Sequence, residues 1–313
     1  MRAVVVRDFG GPEALVTVEA PLPEPGPGQL RIAVQAAAVN PIDLAVRAGC
    51  MITIGFAEPQ PQFGVGWDVA GTVDAVGAGV EFLVGDAVIG LVDRLDLVTG
   101  GYAEYVVLDA AAVGRAPDGV PPAEAATLPL CGLTAVQALD LLDLAPGDTL
   151  LVTGAAGGVG GFAVELAAAR GLRVVALASP EDEELVRGLG ARYFVPRGER
   201  VADAVRGVVP GGVDGVLDAA GLKTRALEAL RAGGAFVAVG LGADPVPRRG
   251  TRVHNVWVRA DGPRLTELAA LAEAGRLTLR VAATYPLAAA AAAHTRQASP
   301  HLRGRLVLLP TSR

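Results

Sequence analysis

A chain of 313 residues, 51% hydrophobic and 19% charged, has the length of two domains of about 100–200 residues each, and each is large enough to bury a core of its own. Its 41 Gly and 22 Pro stay below the share of about 25–30% that marks low complexity. A formal charge of −6, with the arginines scattered, argues against nucleic acid as a partner. Cys50 and Cys131, the two cysteines, supply neither a disulfide framework nor a four-cysteine zinc cage, which points to a reducing, cytoplasmic setting.

The start, Met1 to Asp8, reaches an acidic residue too soon for a signal-peptide core, and no unbroken apolar run approaches 18 residues, so no membrane span is expected. Lys223 is the sole lysine; Leu222 precedes it and Ala219 stands four positions before it. That excludes both a Walker A loop and a Tyr-x-x-x-Lys dehydrogenase centre. His254, His294 and His301 are spaced wrongly for zinc proteolysis and read as loop or surface residues.

In chain order, residues 1–118 read as β-rich. Short apolar runs at 3–6, 15–18, 30–34, 69–76, 87–91 and 102–108 are separated by Gly/Pro punctuation, the pattern of a compact barrel-like domain. From about Pro121 the rhythm changes to helix-length segments alternating with fully apolar strands, at 149–153, 173–177, 215–217, 235–239 and 256–258. That alternation predicts a parallel sheet with crossover helices. A helix at 162–169 completes the first βαβ unit. A helix at 265–274, a helical alanine run at 288–293 and a strand at 305–309 close the chain.

The strongest local signal is Thr153-Gly-Ala-Ala-Gly-Gly-Val-Gly160, which follows an apolar strand and opens a helix, as a dinucleotide-binding turn does. Ala155, Gly157 and Gly160 take the three glycine positions, whose needs are a tight turn, close approach to a pyrophosphate, and close helix–strand packing. Ala156, Gly158 and Val159 fall within the same turn. About 20 residues on, where an NAD site places an acidic residue on the ribose, stands Ser179. A serine removes the carboxylate that would repel a 2′-phosphate, which favours NADP(H) over NAD(H). Glu181 to Glu184 follow directly and read as a solvated first helical turn after Pro180. Arg197 is the candidate cationic partner of the phosphate.

The chain resembles the zinc-independent quinone oxidoreductases, the zeta-crystallin-like branch of the medium-chain dehydrogenase/reductases. The resemblance runs through Ala37-Ala-Val-Asn-Pro-Ile-Asp43, Gly66-Trp-Asp-Val-Ala-Gly71, Gly101-Tyr-Ala-Glu-Tyr105, Leu130-Cys-Gly-Leu-Thr134, the glycine turn and Arg303-Gly-Arg-Leu-Val-Leu308. It implies an α/β protein with a GroES-like β-rich catalytic domain at 1–118 and 261–313, and a Rossmann doubly wound parallel-sheet domain binding NADP(H) at 119–260. The active-site cleft would lie at their junction, and a homodimer would form through the strand near 256–258.

Zinc enzymes of this superfamily present a Cys, a His and a second Cys to the metal. The corresponding positions here are Asn40 or its neighbours, Trp67 and Cys131, so no zinc is expected. Cys131 then reads as a small buried residue. The resemblance further implies hydride transfer from NADPH to a quinone or α,β-unsaturated carbonyl. In it Asn40 faces cofactor and substrate, Asp43 orients neighbours from a short helix or caps it, and Trp67 walls the pocket. Around the cofactor, Thr134, Ala219, Gly240 and Leu241 join the turn. An enoyl-thioester reductase of acyl-chain synthesis, or a non-catalytic NADPH-binding structural or sensing protein, is the alternative.

Overall fold

The computed structural model describes residues 1–198, 200–240, 242–299 and 302–310. The chain forms two compact units, one of Met1–Leu130, Arg259–Gly275 and Leu279–Arg313, the other of Cys131–Val258 and Arg276–Thr278. The first begins with β1 (Arg2–Val6), β2 (Leu15–Glu19), β3 (Gln29–Val39), β4 (Phe63–Gly64), β5 (Asp68–Val76), β6 (Ala87–Leu91), β7 (Tyr105–Asp109) and β8 (Val113–Arg115). The second contains β9 (Thr149–Thr153), β10 (Arg173–Ala178), β11 (Tyr193–Pro196), β12 (Val213–Asp218), β13 (Leu230–Val239) and β14 (Arg252–Val256). Strands β15 (Val281–Pro286) and β16 (Arg305–Leu309) return to the first.

In the first unit a small sheet runs β2-β1-β4, and a seven-stranded sheet runs β15-β16-β3-β5-β6-β8, with β7 also pairing β3. All its pairings are antiparallel except β15 with β16. The long strand β3 shifts register near Arg31 and Val34 against β5, which bends it across the sheet. Helix Gly262–Glu273 lies directly on β8. Glycine at both faces permits this, since a Cβ on Gly262 would meet the Val113 carbonyl oxygen at 2.2 Å, and one on Gly114 the Leu265 Cβ at 2.7 Å.

The second unit is a six-stranded sheet, β11-β10-β9-β12-β13-β14, parallel throughout. This is the doubly wound order in which the chain reverses direction beside the first strand. Every residue of β9 is buried, because a central parallel strand is covered on both faces.

Several boundaries differ from the sequence reading. The last strand of this sheet is β14, Arg252–Val256, rather than 256–258. At the sheet edge it exposes Arg252, His254 and Asn255 between a half-buried Val253 and a buried Val256, so no apolar run marks it. Tyr102 precedes β7, whose pairing begins at Tyr105. Strands β4, β8, β11 and β15 are short or half-exposed and carried no signal. The helical stretch Pro122–Leu142 is long and apolar enough to cross a membrane, although no unbroken apolar run is that long, and it is mostly buried within the protein.

Candidate active site

In the first unit the residues carrying the Asn-Pro-Ile-Asp and Gly-Trp-Asp motifs converge on one buried polar network. Pro41 at the first helical position and Asn40 at the cap start helix Pro41–Arg47, a placement that suits proline because no N–H is needed there. Asp43, one turn in, reaches back to accept the Asn40 backbone N–H at 2.7 Å through Oδ2, the carboxylate half of a capping box. The expected capping role of Asp43 is therefore present. Its Oδ1 accepts the Gly66 N–H at 3.0 Å, and the Tyr102 hydroxyl donates to Oδ2 at 3.1 Å. One carboxylate thus holds together the segments that carry Asn40 and Trp67.

Asp68, the first residue of β5, plays the matching part. Its Oδ2 accepts from Asn40 Nδ2 at 2.8 Å, and its Oδ1 from the Leu130 N–H at 2.6 Å. Asn40 Nδ2 also donates to the Ala38 carbonyl at 3.3 Å, while Asn40 Oδ1 accepts from Arg305, which donates to the Val39 carbonyl as well. Asn40, Asp43 and Asp68 are 0% exposed and Arg305 is 7% exposed. Trp67 is buried, and its carbonyl accepts the Val92 N–H at 2.7 Å.

The network continues to the far end of the chain. His294, expected at the surface, is fully buried in helix Ala290–Gln297, because the alanines around it bring the helix against the sheet. Its Nε2 lies 3.2 Å from the Tyr102 hydroxyl and its Nδ1 3.3 Å from Arg47 Nη1. Arginine only donates, so Nδ1 accepts, Nε2–H donates to the Tyr102 oxygen, and the Tyr102 hydroxyl donates onward to Asp43.

Electrostatics agree with this ordering. Burial, with the nearby charge of Arg47, drives His294 down to about 3, so the ring is neutral. Burial pushes Asp43 up to about 7 and Asp68 up to about 6, opposed by the hydrogen bonds each accepts, and raises Tyr102 well above the usual tyrosine range. Desolvation is the larger effect in each case.

In the second unit the glycine turn has the geometry its sequence implies, with one change of part. The tight turn belongs to Gly154, at φ +62°, rather than to Ala155, which is buried with its N–H donating to the Leu177 carbonyl at 3.2 Å. Gly157 caps helix Gly158–Ala169, and its N–H donates to the Gly154 carbonyl at 2.9 Å. A Cβ on Gly160 would stand 2.1 Å from that same carbonyl oxygen, so only glycine lets the helix sit this close to the turn. Ala156, Gly158 and Val159 are half-buried around it.

The structure brings Ser179 and Arg197 together. They directly follow β10 and β11, paired up to Ala178 and Pro196, and the Arg197 guanidinium donates to Ser179 Oγ. Of the acidic run, Glu183 accepts from Arg187 Nε at 2.8 Å, and Asp182 is buried. Ala219 and Gly240 follow the carboxyl ends of β12 and β13, the edge on which ligands bind in such sheets. Thr134 is buried in helix Pro129–Leu142, and Cys131 is buried near its start. Leu241 and His301 lie outside the described residues.

Two supports of this edge carried no assigned role in the sequence. The Thr153 hydroxyl donates to Asp218 at 2.5 Å, and Asp218 accepts the Leu222 and Lys223 N–H groups at 3.1 and 2.7 Å. Asp218, Asp68, Tyr102, His294 and Arg305 share one sequence sign, a polar or charged residue set inside or beside an apolar run, where burial without a partner is costly.

Known proteins match both units. An alcohol dehydrogenase GroES-like domain matches residues 26–118, and a family described as zinc-binding dehydrogenase matches residues 189–308. A quinone oxidoreductase of Pseudomonas aeruginosa is 33% identical, covering 96% of this chain and 97% of that protein. An NADPH-dependent alkenal/one oxidoreductase of Arabidopsis thaliana is 32% identical over 99% of this chain and 80% of its own length. The pikromycin polyketide synthase component PikAII of Streptomyces venezuelae is 40% identical over 70% of this chain, which spans only 6% of that protein. Among solved structures, mycobacterial Rv1454c complexed with NADPH superposes with a TM-score of 0.85 at 32% identity, covering 99% of this chain and 100% of that one. The chain belongs to the quinone oxidoreductase branch of the medium-chain dehydrogenase/reductase superfamily.

Proposed function

We propose that the chain is a zinc-independent oxidoreductase in which bound NADPH supplies a hydride to a quinone or to the β-carbon of an α,β-unsaturated carbonyl. The observation that carries the coenzyme choice is the pairing of Ser179 with Arg197 just beyond β10 and β11. A hydroxyl and a guanidinium there receive a 2′-phosphate, where a carboxylate would repel it. The amino end of helix Gly158–Ala169 takes the pyrophosphate, with Gly160 keeping the turn closed beneath it. Ala219, Gly240 and Thr134 line the rest of the coenzyme's path. The Arabidopsis relative and the NADPH complex support the same choice by their names.

On the acceptor side the reading assigns Asn40, Asp43 and Trp67. Asn40 and Asp43 act through the backbone they fix, because the Asn40 amide is already engaged by Asp68, Ala38 and Arg305. Trp67 offers a flat apolar wall. The donor chemistry fits zinc poorly. Asn40 Oδ1 is taken by a guanidinium, the Trp67 indole offers an N–H and no lone pair for a cation, and Cys131 alone is too few ligands. The exposed edge of β14 suits pairing with a second copy, and the two free cysteines suit a cytoplasmic setting.

The similarity to a polyketide synthase favours a second reading, reduction of an enoyl thioester. Absorbance loss at the reduced-nicotinamide band, with NADPH or NADH and a quinone, an enone or a crotonyl thioester, separates the two. Turnover of quinone or enone with NADPH is expected. Oxidation with the thioester alone selects the second reading, and tight NADPH binding without turnover selects a sensing role. Ser179→Asp should weaken NADPH at least tenfold more than NADH; equal loss for both contradicts the phosphate site.

A further inference from the structure

The second unit also holds a cavity of about 360 Å³ whose lining includes Asp203, Arg206, Glu228, Arg248 and Arg249. It sits near the amino ends of β13 and β14, which begin at Leu230 and Arg252. The glycine turn and the Ser179–Arg197 pair follow the carboxyl ends of their strands in the same parallel sheet, so the two places are at opposite edges.

Three arginines line it, Arg206 half-buried and Arg248 and Arg249 exposed, beside the carboxylates Asp203 and Glu228. Arg206 donates to the Glu228 carbonyl, and Arg249 to the Leu227 and Leu230 carbonyls at 3.4 and 3.0 Å. Both thereby serve the carbonyl end of the short helix Thr224–Leu227. The Arg248 guanidinium has no hydrogen-bond partner among the described residues. Asp203 and Glu228 line the same cavity, yet among the described residues none of the three arginines forms an ion pair.

The turn presenting two of these arginines is held in a costly conformation. Arg249 lies at φ +53°, where a side chain is disfavoured and glycine is not. The turn is pinned by Thr251, whose Oγ1 accepts the Arg248 N–H at 3.1 Å and donates to the Arg248 carbonyl at 2.8 Å. The Gly233 N–H donates to the Arg249 carbonyl at 3.1 Å. A strained residue held in place by its surroundings is found preferentially where a ligand is bound.

We propose that this cavity binds a phosphate-bearing, hydroxyl-bearing small molecule, with Arg248 and its two neighbours on the phosphoryl oxygens and Asp203 and Glu228 accepting from hydroxyl groups. Three planar forks match the several oxygens of a phosphoryl group, whereas a carboxylate has two oxygens and is satisfied by one fork.

Isothermal titration of the full chain with glucose 6-phosphate, inorganic phosphate and potassium chloride at matched ionic strength tests this. Saturable one-to-one binding of glucose 6-phosphate, at least fivefold tighter than phosphate, is expected. Arg248→Ala and Arg249→Gly should each weaken it tenfold or more and leave NADPH affinity unchanged. No saturable binding, or binding that survives Arg248→Ala, overturns the site. Equal affinity for inorganic phosphate overturns the part given to Asp203 and Glu228. Competition by NADPH would assign the binding to the coenzyme edge instead and likewise refute it.

Discussion

Asn40, Asp43, Asp68, Tyr102, His294 and Arg305 in the first unit are between 0 and 7% exposed, and each hydrogen-bonds another member of the set. Ser179 and Arg197 in the second unit stand at a sheet edge with Arg197 exposed, joined to each other by a single side-chain bond. The first arrangement pairs its polar groups with one another, apart from the buried Arg305 Nε, and fixes where backbone segments lie. The second leaves guanidinium N–H groups available. Polar residues of similar chemistry thus take opposite parts according to burial. A buried unpaired group is penalised heavily and an exposed one hardly at all.

The contrast predicts that damage in the first unit appears as lost stability. Asp68→Ala leaves the Leu130 N–H and Asn40 Nδ2 without their acceptor and removes the buried carboxylate that balances the nearby Arg305 charge, and the expected cost is about 3–5 kcal/mol, as for removing one side of a buried charged arrangement. Urea denaturation measures it. A cost under about 1 kcal/mol would mean that water satisfies these groups and that the network is not a closed one.

The same burial gives the first unit a pH signature. A carboxyl raised on folding holds its proton more tightly in the native state, so its contribution is full below the unfolded value and is lost as pH rises through the folded one. For Asp43 that loss runs from about pH 4 to about 7, and for Asp68 from about pH 4 to about 6. His294 is depressed, so its contribution is present above about 6.5 and lost as pH falls toward about 3. Two carboxyls oppose one histidine between pH 4 and 6. Asp43→Asn should therefore make the stability-versus-pH slope more positive than that of the unmodified protein by about 1.4 kcal/mol per pH unit. Denaturation at pH 4.5, 5.5 and 6.5 reads this difference; parallel curves would place Asp43 outside the titrating set.

What the sequence made legible follows the same division. Strands β9, β12 and β13 announced themselves because a strand covered on both faces is continuously apolar, whereas β11, β14 and β15 lie at sheet edges and are only partly buried. Ser179 and Arg197 could be located because a βα turn is counted from the strand before it. The buried network could not, since its bonds join Asn40 to Arg305 across 265 residues and Tyr102 to His294 across 192. Asp68, Tyr102 and Arg305 did fall within recognisable motifs, but local spacing says nothing of which distant partner a buried acid will find.

The mildest test concerns the acidic run beside Ser179. Glu183 is four residues on and half-exposed, and Arg187 one helical turn further binds it at 2.8 Å. Such an exposed i,i+4 pair contributes only about 0.3–0.5 kcal/mol to stability. Its effect on the coenzyme edge works through charge. With Arg187→Ala the Glu183 carboxylate loses its counter-ion and acts on an incoming 2′-phosphate, screened beyond about 10 Å at 0.1 M salt. A twofold to threefold loss of NADPH affinity at low salt, vanishing at 0.5 M, is expected from fluorescence titration, with NADH unaffected. A loss that persists at high salt, or falls equally on NADH, would assign Arg187 to the shape of the helix and leave the acidic run without influence on coenzyme choice.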